Sequence, residues 1–151
     1  MKMHKIKFNK QSSNASSAIE FMAVFSFLFV FFILILDVGL FFRQIYLTQT
    51  IADEVLTRLT IEKQCSANLE KTAEIANETV AFYFIEQNFT ATKKNKMVEL
   101  SANQNKYNFL ISCRNEITPD SLIFVYKYKG VMMYRNGKEI SSNVSVNTTY
   151  Y

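Results

Sequence analysis

At 151 residues the chain has room for one small domain plus an anchor. Its net charge of +4 resides in the first fifteen residues, where Lys2, Lys5, Lys7 and Lys10 precede any acid; from residue 16 onward 13 basic residues face 13 acidic ones. No compact basic patch is therefore expected to follow a phosphate backbone, which argues against nucleic-acid binding.

The dominant feature is apolar. Residues 21–36 contain a single polar side chain, Ser26, and the run continues to residue 42 with only Asp37 and Gly39 as interruptions. As a helix, residues 21–42 extend about 33 Å, enough to cross a hydrocarbon core of about 30 Å. The short N-terminal flank carries four lysines, whereas the first base beyond the run is Arg43. The positive-inside rule then predicts a cytoplasmic N-terminus and an external C-terminal part. A cleaved secretory signal is the competing reading. It fits less well, because the run is long, begins next to Glu20 and lacks an A-x-A site behind it.

The pattern then changes character without a break. Ile45, Leu47, Ile51, Ala52, Val55, Leu56 and Leu59 fall largely on one helical stripe, and Thr48, Gln49, Asp53, Glu54 and Arg58 fall mostly off it. No proline occurs before position 119. One helix from about residue 17 to about 62 is expected, with Gly39 as the one place for a bend. Residues 68–89 carry a second helical stripe through Leu69, Ala73, Ala76 and Val80, and residues 91–96 (ATKKNK) read as a solvated loop. Residues 106–115 and 121–130 are rich in aromatic and β-branched side chains and read as strands. Residues 131–140 read as a further strand pair around Asn136 and Gly137, a two-residue hairpin signal. The expected fold is α+β: a long N-terminal transmembrane and spine helix, a second helix, and a small antiparallel sheet of three to four strands.

Here the residues resemble a family. A short lysine-rich leader, a small residue, and then a glutamate and phenylalanine opening a long apolar helix form the pattern of type IV prepilins and pseudopilins; in this chain it reads ASSAIEF at 15–21. The continuation ILDVGLFFRQIYLTQTIADEVL at 35–56 is similar, more narrowly, to the TadE/TadF minor pilins of tight-adherence (Flp, type IVb) pili. The resemblance covers roughly residues 10–62. It implies a leader over 1–15, a transmembrane helix over 16–43, a periplasmic extension of that helix over 44–64 and a periplasmic α+β head over 65–151. It also implies cleavage by a prepilin peptidase between Ala15 and Ser16, where the family more commonly has glycine before the cut. Implied partners are the peptidase, the lipid bilayer, other pilins, and the pilus assembly platform in the inner membrane.

Glu20 acquires a role in that context. An unpaired carboxylate beside the apolar phase is costly. Cleavage would give Ser16 a positive α-amine about one helical turn away, and the family pairs such a glutamate with a neighbouring subunit's amine. The plainer reading is a helix N-terminal acid in the head-group region, favoured by the dipole. Asp37 is the second acid to explain, roughly 25 Å further along a helix. It reads either as an interfacial residue reaching water or as a polar contact to another pilin or the platform. Cys65 and Cys113 both fall outside the membrane, where an oxidising compartment favours a disulfide; the alternative is two buried thiols.

Little points to catalysis. His4, in the leader, is the one histidine, so the mature part has no imidazole base, and three glycines do not build a phosphate loop. No enzyme activity, cofactor, metal site or small-molecule substrate is expected. Three functions remain open: a minor pilin of a tight-adherence pilus, a pseudopilin of another type IV filament or type II secretion system, and an uncleaved single-pass envelope protein with a binding head.

Overall fold

The computed structural model describes residues 11–84, 88–102 and 106–146, with side chains from residue 17 onward. The leader lysines, His4 and the terminal tyrosines Tyr150 and Tyr151 lie outside the described residues. The fold is α+β, with elements in the order α1 (Gln11–Ile61), α2 (Leu69–Tyr83), β1 (Thr90–Lys94), β2 (Met97–Ala102), β3 (Tyr107–Cys113), β4 (Pro119–Tyr128) and β5 (Lys138–Ser145).

α1 is one unbroken helix through Gly39. Its N-terminal half is long and apolar enough to cross a membrane, and its most apolar stretch is not buried by any other of the described residues. Ser26 needs no outside partner there, because its Oγ donates to the Met22 carbonyl one turn back at 2.8 Å. The C-terminal half is different. Ile51, Ala52, Val55 and Leu59 are completely buried. One face of this extension of the helix is therefore part of the head's own core. Lys63 ends the helix in the left-handed region (φ +51°), and the Gln64 amide returns to the Leu59 carbonyl.

α2 starts on Asn68, whose side chain accepts from the Lys71 amide at 3.0 Å. Its expected stripe is the buried face, with Ala73, Ile75, Ala76 and Val80 inside. Glu70, Glu74 and Glu78 are exposed on the opposite face. α2 lies beside α1, tied by the Tyr83 hydroxyl donating to Glu54 at 2.7 Å. The two helices cover one face of the sheet, α1 over β4 and β5 and α2 over β1.

The sheet has five strands in sequential order, all antiparallel, rather than the three or four expected. Two corrections explain the difference. Residues 91–96 are not a loop: β1 and β2 form a hairpin whose two-residue connection turns at Asn95 (φ +58°). Lysine content misled because β1 is an edge strand with mostly exposed side chains, a place where lysines block further strand pairing. Residues 131–137, conversely, form no strand. The Asn136-Gly137 pair makes no two-residue turn, since only Gly137 has a positive φ (+84°). β4 and β5 pair from Tyr128 and Lys138 outward, leaving 129–137 as a long connection.

Alternation builds the core. Leu100, Phe109 and Phe124 face each other across β2, β3 and β4 and are fully buried, with the two rings stacked at 4.2 Å. β5 continues this row with Ser142, which hydrogen-bonds Gln49 of α1.

Candidate functional site

Three groups on the helical spine were candidates, and the structure treats each differently. Ala15 and Ser16 belong to the first turns of α1 by backbone, and their side chains lie outside the described residues. Glu20 follows in the same helix amid exposed neighbours, Ile19, Phe21 and Met22 each being about 70% exposed.

Asp37 has its partners within its own chain. It is 1% exposed, and both carboxylate oxygens are engaged. Oδ1 accepts from the Val131 amide at 3.0 Å and the Tyr128 hydroxyl at 3.3 Å. Oδ2 accepts from the Met133 amide at 2.9 Å and the Met132 amide at 3.2 Å. Three consecutive backbone N–H groups thus cup one carboxylate, a nest for an anion. Burial, then the neighbouring Asp37 charge, push the Tyr128 hydroxyl above its ordinary value and keep it a donor.

Gly130 makes this approach possible. A Cβ at that position would fall 2.5 Å from Oδ1, closer than real Cβ contacts come, and 3.0 Å from Oδ2. Beside the clamp, Phe41 stacks on Tyr134 at 4.4 Å and meets Tyr128 at 5.7 Å. The 129–137 connection is thereby strapped to α1 instead of extending the sheet, which is why the hairpin expectation failed there.

A sequence signal for this existed. The buried face of α1 runs through Leu59, Val55, Ile51, Thr48 and Gln44 to the half-buried Phe41, in steps of three or four. The next step of four is Asp37. The expected stripe started instead from Ile45, which is exposed, and put Thr48 off it, although Thr48 is fully buried and bonded to the Gln44 carbonyl at 2.6 Å. Choosing residues by apolarity alone rotated the stripe away from its polar members.

Cys65 and Cys113 are joined, with Cα atoms 6.0 Å apart and a sequence separation of 48. The bond ties the segment after α1 to the end of β3. The same junction is held by the Ser66 and Ala67 amides, both donating to the Glu116 carbonyl at 2.9 Å, and by Thr72 donating to the Cys65 carbonyl.

One charged feature was not foreseen. Lys106, Lys127, Lys129 and Arg135 line an open cavity of about 550 Å³ beside Gly137. Lys127, Lys129 and Arg135 lie within nine residues of sequence, and Lys106, just before β3, joins them only in the fold. Among the described residues no three His, Cys, Asp or Glu side chains gather as metal ligands. No known protein family, curated protein or solved structure matches the chain.

Proposed function

We propose that this protein is a type IV pilin-like subunit of the TadE/TadF kind, a minor pilin serving the biogenesis of a tight-adherence pilus and, through it, surface adherence and biofilm formation. The observation that carries this reading is the division of α1: one continuous helix whose first half is bare and apolar while one face of its second half is part of the core of an α+β head. A helix built this way can leave the bilayer and pack its bare half against copies of itself without refolding the head. The leader pattern before Glu20 supplies the other support.

In this reading the N-terminus is cytoplasmic, the head is periplasmic and the bilayer is that of the bacterial inner membrane. Prepilin peptidase cuts after Ala15, and the amine of Ser16 on one subunit meets Glu20 of another. Other pilins and the assembly platform are the protein partners. The chemistry asked of the chain is association, with no bond made or broken by its own side chains.

The mature N-terminus tests this directly. Mass spectrometry of the protein from its native membrane is expected to find a chain starting at Ser16, and the full chain in a strain lacking the peptidase. An intact Met1 in both strains would assign it instead to uncleaved single-pass envelope proteins. Glu20→Ala is expected to leave membrane insertion unchanged and reduce incorporation into pili by more than about tenfold, since a buried charge loses its partner. Unchanged incorporation would remove Glu20 from assembly.

A further inference from the structure

The Asp37 clamp holds something outward. Val131, Met132 and Met133 donate their backbone amides to the carboxylate while their side chains point away, 70%, 47% and 56% exposed. Three adjacent large apolar side chains in the open are unusual for a surface loop. Their position along α1 supplies the explanation. Glu20 and Asp37 are separated by about 25 Å of helix, less than the roughly 30 Å of a hydrocarbon core. With Glu20 at the inner boundary, Asp37 lies about 5 Å short of the outer one, and whatever is bonded to Asp37 is brought to that edge too.

We propose that residues 131–133 are an interfacial finger, seated in the outer edge of the bilayer beside α1, with Lys127, Lys129 and Arg135 meeting lipid phosphates around the basic cavity. The inference rests on the reading of α1 as a membrane span. Two features of the finger fit lipid and not water. Its backbone donors are already satisfied by Asp37, as backbone near hydrocarbon must be. Its two ends carry cations, Lys129 before it and Arg135 after it, and long basic side chains at a membrane edge reach for head groups while their stems lie in apolar surroundings. None of Lys106, Lys127, Lys129 and Arg135 forms an ion pair among the described residues. Glu139 stands opposite Lys127 in the β4–β5 register. The finger and the helix then hold the head at two points, which fixes its rotation about the α1 axis. A single helical tether leaves that rotation free.

The chain contains no tryptophan, so single-tryptophan variants report depth without background. The full chain carrying Met132→Trp is reconstituted into phosphatidylethanolamine–phosphatidylglycerol vesicles with bromines placed shallow or deep on the acyl chains. Phe29→Trp, in the middle of the span, is the reference. Emission of Met132→Trp is expected to fall about twofold with shallow bromines and little with deep ones, as for an interfacial ring; Phe29→Trp is expected to show the reverse. Val131→Trp should behave as Met132→Trp does. Deep quenching of Phe29→Trp together with a Met132→Trp signal quenched only by aqueous iodide would overturn the finger and leave the span intact. Absence of quenching at both positions would overturn the span itself. Adding Lys129→Gln and Arg135→Gln to Met132→Trp is expected to weaken its shallow quenching in anionic vesicles, and millimolar inorganic phosphate is expected not to. Equal quenching with and without the two cations, or loss of quenching on adding phosphate, would remove the lipid phosphates from the proposal.

Discussion

Replacing Cys65 and Cys113 together by alanine is expected to destabilise the head by about 4 kcal/mol, because the bridge closes a loop of about 49 residues and removes that much chain entropy from the unfolded state. A domain of this size has a total stability of only about 5–15 kcal/mol, so the loss is a large fraction of the whole. The position of the bridge adds to its weight. It crosses from the helix layer to the sheet layer, with Cys65 completely buried and Cys113 nearly so. Without it, the α1–α2 junction keeps the hydrogen bonds of Ser66, Ala67 and Thr72 but loses its covalent tie to β3. Thermal or urea unfolding of the detergent-solubilised chain, with and without a phosphine reductant, measures the effect. A midpoint indifferent to both the substitutions and the reductant would show that the bridge does not form in solution.

Asp37→Ala and Gly130→Ala are expected to have the same consequence from opposite sides: release of residues 128–134 from α1. The first removes the acceptor of three amides and a hydroxyl. The second places a Cβ in the volume that the carboxylate occupies. Hydrogen exchange of the amides of residues 131–133 should accelerate on the order of tenfold to a hundredfold in either variant, while β3 and β4 core amides stay protected. Asp37→Asn separates charge and geometry from mere size. An amide keeps one oxygen and in either orientation turns an NH2 group toward at least one backbone donor, so it should lie nearer alanine than aspartate. Tyr128→Phe should be mild, because its hydroxyl makes the longest of the four bonds and its ring keeps the contact with Phe41. Slow exchange retained in Asp37→Ala would show that the aromatic stack alone holds the connection.

Both results depend on residues whose roles were legible to different degrees. Cys65 and Cys113 were paired from count and compartment, which suffices when two cysteines are all there are. The acid at 37 was conspicuous in an apolar run, yet its partner was sought in water or in another protein. The partner is in fact a stretch of backbone some 95 residues away. Backbone N–H groups have no sequence signature, and the glycine that admits the carboxylate is one residue in a turn-like segment that also resembled a hairpin.

The amino-acid sequence by itself determined the long helix, its apolar first half, the second helical stripe, the alternating strands β3 and β4 and the α+β class. These follow from local period and composition, which each segment carries regardless of its neighbours. Only the tertiary structure decided that residues 91–94 are an edge strand, that residues 131–137 leave the sheet, that four cations converge on one cavity and that Asp37 is satisfied from within. Each of those is set by a contact between segments distant in sequence. A lysine-rich strand is stable only beside β2, and Asn136-Gly137 cannot form its tight turn while Asp37 binds the residues just before it.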